Sequence, residues 1–167
     1  MKKVVVFGSF AADLTSRAGK LPKPGETIIG SSFKIGPGGK GSNQGVAAKR
    51  AGADMTMITK VGKDVFGNIA LDFYKNEGMD TSNVFIDKEL ETGTALIMVD
   101  ENTAENQILV VSGACGNITE NDIKSVEDII SEAGIVLMQT GISLNGGLAG
   151  KTPLLAFGCC NFLLPSR

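Results

Sequence analysis

Short, continuous apolar runs alternate along the chain with segments of helical period. KVVVFG opens as a buried strand; from Ser42 to Ala51, small and apolar residues recur at helical spacing, and Gly52 is placed to end them. MTMITKVG reads as a second buried strand. Phe66, Ile69, Ala70, Phe73 and Tyr74 then make a helical stripe that stops at Gly78. ITENDIKSVEDIISEAG is predicted as one helix, capped by Thr119 with Asp122 three residues on and closed by Gly134; IVLMQ is another buried strand. Strands with no polar face need cover on both sides, and a strand–helix–strand rhythm supplies it through right-handed crossovers. The class is therefore α/β with a parallel sheet. Two segments break the rhythm, roughly residues 14–34 and 92–112, where TIIGSSFKI, TALIMVD and QILVV alternate between Pro, Gly and Asn. They suit a small accessory sheet.

Composition removes several kinds of chemistry. The 167 residues contain no histidine, so histidine-dependent triads and histidine metal sites are excluded within them. The three cysteines, Cys115 and the adjacent Cys159 and Cys160, have neither zinc spacing nor an even count for a disulfide framework; they read as small buried hydrophobes. A net charge of −2 with interspersed signs leaves no footprint for nucleic acid or an anionic membrane. The apolar run from Val4 to Phe7 is too short for a secretion signal. A cytoplasmic location is expected.

IGPGGKGSNQGVAAKR sets four glycines, at positions 36, 38, 39 and 41, around Lys40 directly before a helix. Glycine at that density is entropically costly, so some native feature must require bare backbone. The dinucleotide pattern GxGxxG is matched, but MTMITK ends in Lys60 where that site needs an acid for the ribose. A phosphate loop fails because Gly41 stands where Ser or Thr must hold magnesium. A plain hinge is one reading. A neutral polyol is another: Lys40 and Asn43 offer donors and an acceptor beside open backbone N–H groups, and Asp13 adds a carboxylate able to accept from two hydroxyls. Asp13 is expected in the loop after the first strand, where open α/β sheets bind ligands.

VVVFGSFAAD, LPKPGETIIG, GPGGKGSNQGVAAKRAGA, TKVGKDVFG and ENQILVVSGACGNIT resemble, in order and spacing, the N-terminal part of ribokinase and related PfkB-type sugar kinases, over about residues 3–139. The resemblance implies a ribokinase-like three-layer αβα parallel sheet with a small β-lid, truncated here, with lid segments near 14–35 and 92–112. It implies that Asp13, Gly39, Lys40, Gly41, Ser42 and Asn43 form a sugar pocket, that Gly38-Gly39 is a hinge, and that lid strands can pair two copies into a homodimer. It implies ATP and Mg2+ as cofactors of the intact relative, which phosphorylates a sugar hydroxyl. The usual Asn two residues before the pocket aspartate is Ala11 here, which leaves the sugar open among ribose, another pentose, a hexose and a nucleoside-like sugar.

The family's GAGD and NxxE-like strings do not occur, so the 167 residues alone are expected to be inactive and to bind nucleotide poorly, with no catalytic, cofactor or metal residue assigned. A non-catalytic sugar-binding or dimerising module is the alternative. All 18 acids precede Ile135. The family expects Leu-Glu after Met138-Gln139, and Thr140-Gly141 is what a one-base shift of suitable codons would give. Residues 140–167 are thus expected to be an anomalous tail, either frame-shifted or genuinely divergent. Asn145 to Thr152 nearly spells a phosphate loop, but Asn145 replaces its first glycine and Pro153 follows at once.

Overall fold

A computed structural model describes residues 3–139, 154–157 and 160–163. The first strand, β1 (Val4–Phe7), lies between β4 (Met55–Gly62) and β8 (Ile135–Gln139), parallel to both. β5 (Val84–Asp87) extends the sheet in parallel beyond β4. β10 (Cys160–Leu163) runs antiparallel to β8, and β9 (Leu154–Phe157) pairs with β10. The order is β5-β4-β1-β8-β10-β9. The expected α/β class and parallel central sheet are present.

Strand alternation gives this sheet two cores. Val5 and Phe7 point to one face, where Ile58, Val136 and Met138 meet Ile123, Val126 and Ile130. Val6 points to the other, where Met57 meets Val46, Ala70 and Tyr74. These helical residues belong to α1 (Lys40–Arg50) and α2 (Val65–Asn76) on one side and to α3 (Glu120–Ser125) and α4 (Glu127–Ser131), with Val126 between them, on the other. The result is helix, sheet, helix in three layers. α1 buries Gly41, Ser42, Gly45 and Val46. A Cβ on Gly45 would lie 3.0 Å from the Met57 sulfur, so a glycine there lets the helix sit close on β4.

A second sheet stands apart with the order β3-β2-β6-β7: β2 (Ala11–Ala18), β3 (Ser32–Gly38), β6 (Thr94–Asp100) and β7 (Asn106–Val111). β2 pairs with β3 antiparallel and with β6 parallel. This is the accessory sheet expected from the alternating runs, with shifted limits. It begins at Ala11, so Asp13 lies within β2 rather than in a loop, opposite Gly36 on β3 and Ala95 on β6. Its third component stops short of TIIG and instead takes in Gly36-Pro37-Gly38. Pro37 costs the ladder little because β3 is an edge strand.

Three other details differ from expectation. α1 starts at Lys40, two residues early, because Gly39 at its N-cap turns the chain with φ 94°. The 118–134 helix is broken: Val126, at φ −118° and ψ 10°, leaves helical geometry while its β-branched side chain is buried among the core residues. The capping box at Thr119 and Asp122 forms as read. β5 was not anticipated. The Thr140-Gly141 dipeptide and the Asn145–Thr152 string lie outside the described residues.

Candidate functional site

β1 delivers the chain through Gly8, Ser9 and Phe10 into β2, and α1 starts against that connection. The Ser42 amide donates to the Ser9 carbonyl at 3.0 Å, and a Cβ on Gly39 would lie 2.5 Å from that same oxygen and 2.9 Å from the Ala11 nitrogen. Glycine is required at position 39 twice over, by the positive φ and by this close approach. The contact carries the start of α1 to the root of β2, and the side chains of the two elements come together.

A cavity of about 450 Å³ opens there. Asp13, Gly39, Lys40 and Asn43 line it, with Ser9, Ser112 and Cys115 on the side of the main sheet and Ala11, Ala95, Ile97, Ile108 and Val110 on the accessory sheet. Asp13 and Asn43 thus converge across 30 positions of sequence, as the polyol reading requires. Gly41 and Ser42, expected in the same pocket, do not line it. The helical phase buries both, Ser42 completely. Its hydroxyl neighbours that of Tyr74, yet neither makes a hydrogen bond of ordinary geometry. Burial pushes the Tyr74 phenol well up and keeps it neutral.

The polar groups of the cavity share one property. Among the described residues, the carboxylate of Asp13, the ammonium of Lys40 and the amide of Asn43 have no hydrogen-bond or ion-pair partner. Partial burial raises the Asp13 carboxyl above its ordinary value. A half-buried acid beside a solvent-exposed cation and a solvent-exposed amide, all lining one cavity, makes a site open to an external hydrogen-bonding ligand. The thiol of Cys115 is otherwise engaged, 3.0 Å from the Lys60 carbonyl and 3.2 Å from that of Phe10, and burial raises its pKa. It is a structural cysteine, as its type suggested.

Two buried polar clusters near the cavity were not read from the sequence. Lys60 reaches Asp122 at 2.9 Å, Asp87 at 3.4 Å and the Asn117 carbonyl at 3.0 Å, tying β4 to α3, to β5 and to the residue that follows the turn 113–116, which carries Cys115. Asp64 caps α2 through the Gly67 amide at 2.7 Å, and the Thr92 amide and hydroxyl donate to it at 2.8 and 2.7 Å. TKVGKD carried the strand and cap signals for Lys60 and Asp64, but apart from Gly67 their partners lie 27 to 62 residues away.

The chain matches the family described as pfkB family carbohydrate kinase over residues 1–164. The chain belongs to that family. It is 41% identical over 149 residues to ribokinase of Mus musculus, covering 89% of this chain and 46% of that protein. The solved structure of ribokinase from Giardia lamblia superposes with a TM-score of 0.78 at 33% identity, over 85% of this chain and 42% of that one. A ribokinase of Arabidopsis thaliana, solved in complex with ribose and ATP, superposes with a TM-score of 0.72 at 28% identity, over 84% of this chain and 46% of that one. The chain spans about half the length of the curated relatives it matches. As a pfkB-family chain it has the expected ribokinase-like sheet, and its second sheet stands where the resemblance implied a lid.

Proposed function

We propose that these residues are the sugar-binding part of an ATP-dependent carbohydrate kinase, which transfers a phosphoryl group to a sugar hydroxyl. The observation carrying this reading is the convergence of unpartnered Asp13, Lys40 and Asn43 on one cavity, with the bare backbone of Gly39 beside them. Asp13 accepts from two hydroxyls; Asn43 both donates and accepts; Lys40 donates. Phosphoryl transfer further needs a base, a cradle for developing negative charge and metal-held nucleotide. The GAGD and NxxE-like strings that the family resemblance ties to these parts do not occur in the 167 residues, so ATP and Mg2+ are assigned to residues beyond these. The 167 residues alone are proposed to bind sugar without phosphorylating it.

Calorimetric titration of the chain with D-ribose and 2-deoxy-D-ribose tests the site. Asp13→Ala removes charge-assisted hydrogen bonds and is expected to weaken the tighter of the two by roughly 1.5–3 kcal/mol. Unaltered affinity in a folded Asp13→Ala chain would defeat the pocket and leave the glycines as a hinge.

A further inference from the structure

Next to the cavity residues stand two buried hydroxyls without a hydrogen-bond partner. Ser42 and Tyr74 are both fully buried and neighbour each other, yet no bond joins them. The phenol stays neutral, so each group keeps a donor and an acceptor. An unpaired buried hydroxyl raises the free energy of the state that contains it, and two side by side relieve one another by forming one bond. Each is tied to the cavity by its surroundings. Ser42 lies in the first turn of α1 between Lys40 and Asn43, which line the cavity, and its amide holds the Ser9 carbonyl at 3.0 Å. Tyr74, on α2, meets the ring of Phe10 edge-on with centroids 6.0 Å apart, and Phe10 is a cavity residue three positions before Asp13. The pair thus lies where α1, α2 and the root of β2 meet, and its geometry follows the position of the first turn of α1.

We propose that Ser42 and Tyr74 are positioning residues whose hydroxyls bond to each other when a sugar occupies the cavity. This deepens the sugar-site reading above and rests on it. A sugar held by Lys40 and Asn43 acts on the first turn of α1, which carries both and carries Ser42 with them. The hydroxyls are already adjacent, so a small displacement of that turn brings them to hydrogen-bond distance. The bond then exists in the occupied state only. A ligand gains whatever stabilisation its bound state has and the free state lacks, so this bond adds to the affinity for the sugar. Neither side chain has to touch the ligand.

The test uses the chain's own chromophore, since Tyr74 is its single tyrosine and there is no tryptophan. On titration with D-ribose and 2-deoxy-D-ribose, tyrosine emission is expected to change in the unaltered chain and to stay constant in Ser42→Ala. Ser42→Ala and Tyr74→Phe are each expected to weaken the tighter sugar roughly three- to tenfold, the order of one hydrogen bond. The urea midpoint of the free chain should hold or rise in both, because each removes a hydroxyl that the free state leaves unpaired. A pair that only supports the fold would lower midpoint and affinity together, and that result would overturn the inference. So would unaltered sugar affinity in folded Ser42→Ala, with the sugar site left intact. A folded unaltered chain that binds neither pentose would overturn the sugar site, and this inference with it. Constant emission in the unaltered chain saturated with sugar overturns the inference even if both variants fail to fold.

Discussion

A Cβ built on Gly38 would coincide with the carboxylate of Asp13, whose Oδ1, Oδ2 and Cγ are the nearest atoms to it. The two residues belong to neighbouring antiparallel strands, and Gly36 stands directly opposite Asp13. The Gly-Pro-Gly spacing is therefore a recess for a side chain 25 positions earlier as well as a bend before a helix. Gly38→Ala is expected to destabilise the chain by roughly 1 kcal/mol, the cost of driving the Asp13 side chain from its rotamer. In the Asp13→Ala background the same substitution should cost much less, because the obstructing atoms are gone. Denaturant midpoints of the four proteins complete the cycle; additive costs would show that the carboxylate is not what excludes a side chain from position 38. Asp13, Lys40 and Asn43 were legible from the sequence because donors and acceptors beside exposed backbone have few other uses. The recess was not, since a glycine's reason lies in its cross-strand neighbour. Gly41 and Ser42 came into the expected pocket through the family resemblance, and neither lines the cavity here.

At the scale of elements, acids hold the joins. Backbone N–H groups of Glu89, the Asn117 amide and the Leu90 N–H hold Asp87 far below the usual carboxylate range, with Lys60 adding to them. Burial opposes ionisation of Asp122, but the Thr119 amide and Lys60 outweigh it and lower its pKa. Burial likewise opposes Asp64, and donors from Thr92 and Gly67 prevail. Each folded-state pKa lies below the unfolded one, so the stabilisation is complete above the unfolded value of about 4 and is lost as pH falls through the folded values. Urea midpoints should therefore be level from pH 7 to 5 and fall steeply below about pH 4. Lys60→Met, which strands two acids, is expected to cost roughly 3 kcal/mol at pH 7 and to flatten that fall. A midpoint that rises on acidification would contradict the assignment. The strand of Lys60 was legible from its apolar run. The ion cluster was not, because it assembles from β4, β5 and the start of α3. The break at Val126 was equally hidden: Ile123, Val126 and Ile130 keep a helical spacing, and the packing of Val126 decides the local geometry.

For the molecule as a whole, the other face of the accessory sheet is covered by α2 only at its root, where Ala12 is buried and Leu14 packs, and is left open farther out. Leu14 and Leu96, Leu96 and Leu109, and Ser16 and Phe33 are cross-strand neighbours there, with Phe33 60% and Leu109 61% exposed. A contiguous apolar face of this kind is a candidate contact between copies. Sedimentation over a range of concentrations is expected to show self-association, and Leu96→Glu with Leu109→Glu should return the chain to monomer. A monomer at every concentration would remove the homodimer proposal. The two-sheet division was readable from the change in period between KVVVFG or MTMITKVG and the alternating runs. The limits of the strands were not, since pairing with β3 and β6 sets them.

The accessory sheet joins the main body through four chain crossings: after Phe10, at Gly38-Gly39, at Thr92-Gly93 and at Ser112-Gly113. All four lie side by side. A Cβ on Gly93 would come within 2.8 Å of the Ser112 carbonyl and 3.0 Å of that of Phe10, and one on Gly113 within 2.8 Å of the Gly93 nitrogen. The attachments thus fall along one narrow line, and the sheet is a plate fixed at a single edge. Mechanically such a plate would turn most easily about that line, in the manner of a lever. The eight residues of β2 reach about 25 Å from the line. A turn of about 10° would sweep the far end through about 4 Å while the crossings themselves move by a fraction of an ångström. Ala11 and Asp13 sit near the fulcrum, where such a lever would convert a large excursion at the tip into a fine adjustment of the gap above the cavity.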